Sequence, residues 1–481
     1  MVSAEHAFKK ALVIRPRWPQ VMTNLGIALR SQKRAHEAEA LFRHVLDIAP
    51  NYPLALNSLG LVLWNGKRLT EAEALYRNAI RIQPEFKEPH NNLGLLLLDL
   101  NKHREAEAAF RRALEIDAEL PESHNNLGNA LMQQGRVHEA IGAYRQALAL
   151  RPAYVAAKAN LAQVLLRVGQ FEEGWDLYES RHDAVLGTHY VNRPAVPWPQ
   201  WKGESLAGKS LLVWPEQGHG DVLQFCRYLP LIRERGAKRL TIACAPPLQR
   251  LLSSLDGVDE VYPLDGNGAI APHDYWCYVM SLPHIFGTTM ASVPARVPYL
   301  KPLAPLVERW KARLPAEGFR VGLVWAGDPR LHTPASNAFD QRRSMSMRMF
   351  LPVLKIPGVT FVSLQKGETT QRQINDVPAD LRPLDPMGDV QDFADTAAII
   401  ECLDLVITVD TSVAHVAGAL NKPVWILSRY DACWRWLCDR DDSPWYPSAR
   451  LFRQSEPGNW DEVVGRVAQA LVKLSKAAPC T

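Results

Sequence analysis

Residues 24–50, NLGIALRSQKRAHEAEALFRHVLDIAP, return 34 positions later as residues 58–84, SLGLVLWNGKRLTEAEALYRNAIRIQP. The same register continues through the first part of the chain, so this region is built from repeats. Four columns define the repeat: a glycine after leucine, an alanine, an aromatic residue and a closing proline. These residues are Gly26, Gly60, Gly94 and Gly128; Ala38, Ala72, Ala106 and Ala140; Phe8, Phe42, Tyr76, Phe110, Tyr144 and Tyr178; and Pro16, Pro50, Pro84 and Pro152.

Each column has a steric reason, and together they predict a pair of antiparallel helices per repeat. Glycine on the first helix lets the second helix approach closely, and the aromatic residue fills the gap between neighbouring units. Proline ends the second helix because it cannot continue the hydrogen-bond ladder. The spacing and residue types resemble the tetratricopeptide repeat, although the tryptophan position of that family holds other residues here. We therefore predict an all-α tetratricopeptide superhelix over residues 1–185.

Asparagine recurs on the first helix of the repeats, which is the helix expected to line the concave surface. Asparagine costs about 0.6 kcal/mol relative to alanine within a helix, so its repeated use needs a reason. The amides either pair with the backbone of an extended peptide, which resembles the superhelix of O-linked N-acetylglucosamine transferases, or bond between adjacent repeats and bind nothing. The column consists of Asn24, Asn92, Asn126 and Asn160, with Ser58 interrupting it.

Composition limits the classes of function. The 481 residues include 55 Lys and Arg against 51 Asp and Glu, a formal net charge of +4, which gives no electrostatic basis for nucleic-acid binding. The 7 cysteines are scattered and match no zinc-site spacing, which favours reduced thiols in a cytoplasmic protein. The start, MVSAEHAFKKALVIRP, has no apolar region of the kind found in a signal peptide, and no apolar run anywhere reaches about 18 residues, so we expect neither a cleaved signal nor a transmembrane segment.

A proline- and tryptophan-rich stretch, RPAVPWPQWKGE at residues 193–204, interrupts the helical pattern and predicts a packed linker over residues 186–208. Beyond it, short apolar runs alternate with helical segments in two series, a pattern typical of parallel sheets covered on both faces. We expect two Rossmann-like, doubly wound lobes at residues 209–310 and 311–481. Ligands in such lobes lie beyond the carboxyl ends of the strands.

The strongest local signal is LDLVITVDTSVAHVAGALNKPVWIL at residues 403–427. A buried strand is predicted to end at Asp410, and a helix to open at Thr411 and Ser412. Backbone N–H groups at the start of a helix attract anions and the two hydroxyls add donors, so the segment predicts a cradle for a diphosphate. The alternative is an ordinary helix cap formed by Asp410 or Thr411.

A second signal is PEQGHGD at residues 215–221, directly after the first strand of the first lobe. Gly218 and Gly220 allow close approach of backbone and substrate. His219 and Asp221 are then candidates for a general base, although an aspartate at the start of a helix is commonly only a cap.

Two cationic segments follow strands of the second lobe. Arg342 and Arg343 come after the strand that ends in Trp325-Ala326-Gly327, where Gly327 is expected to allow close backbone approach, and Lys366 follows the next strand. Because both segments are expected at one edge of the sheet, their cations are suited to neutralise a leaving diphosphate. The alternative is solvated surface charge.

These segments carry a resemblance. DTSVAHVAGALNKPVW, the GHGD turn, QRRSM and SLQKG are similar to glycosyltransferase family 9, which includes lipopolysaccharide heptosyltransferases, and more closely to bacterial proteins that fuse such a module to tetratricopeptide repeats. The resemblance implies a GT-B fold of two Rossmann-like lobes and gives Asp221 the role of catalytic base. It also implies that a second group of residues binds the donor: Asp410, Thr411, Ser412, His415, Lys366, and either Arg343 or Arg342. The family usually has glycine where Ser412 stands, and one lysine where two arginines stand.

The reaction implied is an inverting, metal-independent transfer from a nucleotide sugar, with no cofactor beyond that donor. The repeats would recruit the acceptor, possibly a protein or peptide. Two alternatives stay open: an inactive peptide-binding scaffold with a transferase-like domain, and a lipopolysaccharide-core enzyme. The late tryptophans also have two interpretations, since they either stack on the donor or pack within the protein; these are Trp434, Trp436 and Trp445.

Overall fold

The structure, a computed structural model, describes residues 2–182, 193–266, 269–329 and 334–477. The first seven positions of the predicted linker, 186–192, lie outside the described residues. Contacts between residues divide the chain into two compact units, Met1–Leu161 and Ala162–Thr481. The repeat pattern continues past this division, because Tyr178 still belongs to the aromatic column.

The first unit is built from antiparallel helix pairs. Proline occupies the first turn of α2, α4 and α8, where its missing N–H has no partner to lose. The helices are α1 (Val2–Ile14), α2 (Pro19–Ser31), α3 (Ala35–Ile48), α4 (Pro53–Asn65), α5 (Leu69–Ile82), α6 (Lys87–Asp99), α7 (His103–Ile116), α8 (Pro121–Gln133), α9 (Val137–Leu150) and α10 (Val155–Arg167), which crosses the division.

The glycine column faces the aromatic column within each repeat. A Cβ added to Gly26 would lie 2.5 Å from the Phe42 ring, and one added to Gly128 would lie 2.5 Å from the Tyr144 ring. The rings are buried, so no side chain larger than hydrogen fits opposite them. The prediction of an all-α tetratricopeptide solenoid is confirmed, with the ring lying against the glycine of its own repeat.

The second unit contains two separate parallel sheets, and the predicted α/β architecture is confirmed. The first sheet has the strand order β3-β2-β1-β4 and the second has the order β6-β5-β7-β8-β9. The strands are β1 (Ser210–Trp214), β2 (Arg239–Cys244), β3 (Glu260–Pro263), β4 (Tyr275–Tyr278), β5 (Phe319–Val324), β6 (Val359–Ser363), β7 (Leu405–Val409), β8 (Val424–Ser428) and β9 (Ala449–Arg453). Strand β9 was not predicted.

Helices connect these strands. Three of them were not predicted: Ala304–Lys311, Pro334–Arg343, which ends at the arginine pair, and Glu368–Gln371. The helices of this unit are α11 (Phe171–Tyr178), α12 (His219–Phe225), α13 (Leu229–Glu234), α14 (Gln249–Leu252), α15 (Leu282–Ile285), α16 (Ala304–Lys311), α17 (Pro334–Arg343), α18 (Leu351–Leu354), α19 (Glu368–Gln371), α20 (Phe393–Glu401), α21 (Ser412–Ala419) and α22 (Trp460–Ala477).

Each sheet reverses its strand order once. In the first sheet the chain runs outward from β1 through β2 and β3, then returns to pair β4 on the other side of β1. In the second sheet the same reversal happens at β5, which lies between β6 and β7. Ligands of open parallel sheets bind beyond the carboxyl ends of the strands at such reversals. The loops after β1, β5 and β7 are therefore the places to look for a site.

Helix α11 is part of the core of the second unit. Its Phe171 and Trp175 belong to one buried cluster with Trp434 and Trp445, and the rings of Trp175 and Trp434 meet edge to face at 5.3 Å. The late tryptophans thus pack within the protein, against the last helix of the repeat pattern. The linker is packed as well, because the backbone N–H of Trp201 donates to the carbonyl of Trp276 at the edge of the first sheet (2.7 Å).

Candidate functional site

The loops after β1 and β7, which belong to different sheets, lead into two helix starts that touch. A Cβ added to Gly220 in α12 would lie 2.8 Å from Cδ2 of His415 and 3.7 Å from Cα of Ser412, both in α21. Only a glycine allows this approach without a shift of the neighbouring ring. The structure therefore brings the predicted GHGD turn and the predicted diphosphate segment together.

Asp221 lies at this junction, 8% exposed. One carboxylate oxygen accepts the backbone N–H of Gly218 (2.8 Å), which caps α12, and the other accepts a hydrogen bond from the guanidinium of Arg435. Both oxygens of the predicted base thus have donors. Arg435 is the residue of this site that sequence reasoning did not assign.

Arg435 is itself nearly enclosed, with 11% of its side chain exposed. Its guanidinium lies 4.3 Å from the centre of the Trp434 ring, and Nη1 lies 3.1 Å from the Cys433 sulfur. Burial alone would lower the pKa of Arg435, but the Asp221 carboxylate raises it above its usual value. A fixed positive charge therefore lies beside the start of α21.

His415 is 4% exposed and is held on two sides. Its Nδ1 lies 2.9 Å from the Tyr446 hydroxyl, and its ring stacks on Trp436 with the centroids 5.3 Å apart. Burial, with the nearby charges of Arg435 and Arg227, places the pKa of His415 well below its ordinary value. His415 is therefore neutral, and its ring separates the two helix starts.

His219, the other candidate base, lies on the same turn as Asp221 but faces another element. Its ring meets Phe393, at the start of α20, with the centroids 5.4 Å apart and the planes nearly perpendicular. Gly218 serves as the N-cap of α12 in an extended conformation. The turn thus reaches the second lobe at two places, α20 and α21.

The start of α21 is not closed by a side-chain cap. Thr411 is the N-cap residue, yet its hydroxyl lies 3.0 Å from the hydroxyl of Thr408 and makes no capping bond. Only the carbonyl of Thr411 is engaged by the helix, through the N–H of Ala414 (3.1 Å). Of the two interpretations of this segment, the ordinary side-chain cap is therefore not the one observed.

Arg343 reaches the same strand end. Its Nη1 donates to the carbonyl of Asp410 (2.9 Å) and its Nε to the buried carboxylate of Asp340 (2.9 Å). A Cβ added to Gly327 would lie 2.1 Å from Asp340 and 2.4 Å from Arg343, so this glycine makes room for the pair. Arg342 instead points to Asp431 (3.0 Å) and is half exposed. Of the two arginines, Arg343 is the one held beside Asp410.

Lys366 is bound to its own lobe. Its ammonium donates to the carbonyls of Val390 (2.8 Å) and Met387 (3.3 Å), which precede α20. The neighbouring Gln365, which sequence reasoning did not single out, accepts the N–H groups of Trp325 (3.1 Å) and Ala326 (2.9 Å) and so fixes the loop after β5. A buried glutamine at a strand end is the signal that could have found it.

The asparagine column lies in the first unit. Asn92 donates to Asn57 (2.9 Å), one repeat earlier, and Asn126 and Asn160 donate likewise to Asn91 (3.2 Å) and Asn125 (2.9 Å). The amides of these three residues therefore bond between adjacent repeats, which is the second of the two explanations. Asn24, in α2, is half-buried.

Within the described ranges, no group of three or more His, Cys, Asp or Glu side chains is arranged to hold a metal ion. The same part of the chain contains no helix of the length and apolarity needed to cross a membrane.

Family models match both units. Tetratricopeptide-repeat models match residues 19–85, 51–119, 91–153 and 131–177. The model of glycosyltransferase family 9 (heptosyltransferase) matches residues 390–433, a segment that contains Asp410 to His415 and ends two positions before Arg435.

Among curated proteins, the chain is 30% identical over 320 residues to Protein FlbA of Caulobacter vibrioides, with 62% of this chain and 52% of that protein covered. The chain thus spans about half the length of this relative. Among solved structures it is similar to YrrB, a TPR protein with an unusual peptide-binding site (21% identity, TM-score 0.32, 37% of this chain and 95% of that one). It is also similar to the type IV pilus biogenesis factor PilW (24% identity, TM-score 0.33, 35% and 78%). The chain therefore combines tetratricopeptide repeats with an α/β unit in which residues 390–433 match the glycosyltransferase family 9 model.

Proposed function

We propose that the α/β unit is a nucleotide-sugar-dependent glycosyltransferase of the GT-B kind, which transfers its sugar with inversion and without a metal ion. The observation that carries this proposal is the contact between α12 and α21. It brings a carboxylate from one parallel sheet and an uncapped helix start from the other to one place, with Arg435 and Arg343 beside them.

The donor diphosphate would bind at the start of α21. Its ligands there are backbone N–H groups, the Ser412 hydroxyl and the guanidinium of Arg343, which is already held against the Asp410 carbonyl. A helix start and an arginine stabilise a leaving diphosphate in the way that a divalent cation does in other transferases. This is the support for metal independence.

Asp221 would act as the general base. In the transfer step, the acceptor oxygen gives its proton to Asp221 and forms a bond to the anomeric carbon. The bond between that carbon and the diphosphate oxygen breaks on the opposite face, and the nucleoside diphosphate leaves with the electron pair. Because Asp221 is paired with Arg435 in the structure, one of its oxygens must exchange that partner for the acceptor hydroxyl.

The test is a panel of UDP-, GDP- and ADP-sugars, each at millimolar concentration, with release of the nucleoside diphosphate as the readout. We expect turnover of at least one donor, unchanged by EDTA. Asp221→Asn keeps the shape and the acceptor atom of the cap but cannot take a proton, so kcat should fall by about a hundredfold or more. Asp259→Asn is the matched control. Asp259 also accepts a backbone N–H, that of Leu240 (2.7 Å), but it lies at the amino end of the strands of the first sheet, away from the proposed site.

The repeats would bring the acceptor. Tetratricopeptide repeats, as a fold, present a concave surface for proteins or peptides. We propose a protein acceptor on that basis. Transfer of labelled sugar to proteins of a cell lysate would test the proposal. An excess of a peptide that binds the repeats should abolish this transfer. Transfer to glycolipid alone would contradict the proposal.

A second candidate is an inactive, transferase-like domain on a peptide-binding scaffold. It is favoured by one observation: both oxygens of Asp221 have donors, and only 12% of its side chain is exposed. The same panel separates the two: no turnover, together with unchanged biological function of Asp221→Asn, would establish the scaffold.

A further inference from the structure

The residues that follow the last repeat helix form a buried ion cluster with the loop after β1. Arg181 donates through Nε and Nη2 to both oxygens of Glu216 (2.8 and 2.9 Å), and no part of the Glu216 side chain is exposed. Nη2 also donates to the Ser281 hydroxyl (2.9 Å), and Nη1 to Glu179 (2.6 Å). Burial alone would raise the pKa of Glu216, but Arg181 brings it below its ordinary value, so the pair is ionised.

The loop that this cluster fixes is the one that leads to Asp221. Glu216 is followed by Gln217, whose amide donates to the hydroxyl of Tyr178 (3.3 Å), and then by Gly218, whose N–H is held by Asp221. Glu216 also accepts the N–H of Met280, beyond β4 (3.2 Å). Two successive residues of the loop are therefore anchored to Tyr178 and Arg181, at the end of the repeat pattern.

The same helix end touches the other side of the site. The ring of Tyr178 lies 6.0 Å from that of Trp434, and Trp434 in turn lies under the Arg435 guanidinium at 4.3 Å. Tyr178 and Arg181 thus contact the elements that carry both members of the Asp221–Arg435 pair. These elements come from different sheets, and α11 with its following turn lies against both.

We propose that Arg181 is a positioning residue of the transferase: it holds the loop of Glu216 to Asp221 in the geometry in which Asp221 meets the acceptor. This inference rests on the function proposed above. A buried arginine–glutamate pair is weak evidence of stabilisation, since apolar residues of similar volume often serve as well. Its placement between the last repeat and the proposed base gives it a more specific task.

Arg181→Lys tests this role, because lysine keeps the charge but cannot make the bidentate contact with Glu216. Arg233→Lys is the matched control. Arg233 is on the same lobe and also makes several bonds, to the carbonyls of Gly257 (3.0 Å), Ala237 (2.8 Å) and Lys238 (3.0 Å) and to Asp259, but at the opposite end of the strands. Glu216→Gln is a second variant for use if Arg181→Lys folds poorly; it keeps the shape of Glu216 but replaces one of the two acceptor oxygens by an NH2 group.

Two readouts are needed. With the nucleotide sugar that the wild type turns over, Arg181→Lys should lower kcat by about tenfold or more while KM for the donor changes less than about twofold, because misplacing a reacting group by an ångström is costly and the donor is held by the other lobe. Hydrogen exchange of the amides of residues 216–222 should become faster in Arg181→Lys and Glu216→Gln. Arg233→Lys should leave both quantities near the wild-type values.

The outcomes separate the two proposals. If the wild type turns over no donor, the proposed function fails, and the exchange measurement alone decides whether Arg181 orders the loop. If the exchange of residues 216–222 and kcat are both unchanged in Arg181→Lys, or if Arg233→Lys changes them equally, the positioning role is overturned.

Discussion

Replacing Gly220 by alanine probes the contact between the two helix starts directly. The new Cβ would lie 2.8 Å from Cδ2 of His415, whereas carbon atoms prefer a separation of about 3.5–4.0 Å, so the ring must move by roughly 0.7 Å. The ring cannot move freely, because it is bonded to the Tyr446 hydroxyl (2.9 Å) and stacked on Trp436. A shift of that size would distort the bond to Tyr446.

We expect Gly220→Ala to lower the free energy of unfolding of the α/β unit by about 2–3 kcal/mol, from overpacking and a weakened buried hydrogen bond. The measurement is urea denaturation followed by tryptophan fluorescence, since Trp434, Trp436 and Trp445 are buried in this unit. Gly465→Ala in α22 is the control, because nothing lies within 4 Å of its added Cβ. Alanine there should be neutral or stabilise by about 0.5–1 kcal/mol.

His415→Ala should remove the obstacle, so that adding Gly220→Ala in that background costs about 1 kcal/mol or less. Two results would refute the reasoning: a Gly220→Ala protein as stable as Gly465→Ala, or an equal loss in the presence and absence of the His415 ring. Either would mean that α12 and α21 do not meet at this atom.

Three further predictions follow from single contacts. The His415 ring should stay neutral as the pH falls from 8 to 5, which NMR can follow. Because the unfolded chain takes up the proton below the ordinary pKa of 6.5, the free energy of unfolding should decrease with falling pH, by about 2 kcal/mol from this group between pH 7 and 5. An ordinary titration of His415 near 6.5 would contradict this. Asn92→Ala should destabilise the repeat unit by about 1–2 kcal/mol, since the buried Asn57 oxygen loses its donor; a loss of peptide binding at unchanged stability would instead favour the groove. Gly327→Ala should displace Arg343 and raise the donor KM by about tenfold, since its Cβ would lie 2.4 Å from that guanidinium; an unchanged KM would remove Arg343 from the proposed site.

The sequence predicted the parts of the fold that repeat or alternate. The glycine and aromatic columns have a strict spacing of 34; the structure packs the ring against the glycine of its own repeat, as for Gly26 and Phe42, where we had expected it between neighbouring repeats. Strand β9 was missed because its sequence, ARLFR, places one arginine at an exposed position and another at its half-buried end. An edge strand with one solvated side gives too weak an apolar signal to be read alone.

The candidate site was predictable in its segments and not in its pairings. The GHGD turn and the DTS segment were recognisable because glycines, hydroxyls and a strand end occur together in a few residues. The partner of Asp221 was not, because Arg435 lies 214 positions away in a segment dominated by tryptophan. The group that lies against Gly220 could not be predicted either. The sequence indicates that something approaches this glycine closely, but whether it is a substrate or the His415 ring depends on tertiary packing.

The membership of α11 in the core of the second unit has a practical consequence for anyone who wishes to separate the α/β half from the repeats. A cut at the end of the repeat pattern would remove Trp175 and Tyr178 from a cluster they share with Trp434, and would delete Arg181 as well. A cut between Leu161 and Ala162 would break α10 in its middle. An excised α/β half should therefore start upstream of Val155 and include the last two helices of the repeat pattern, α10 and α11.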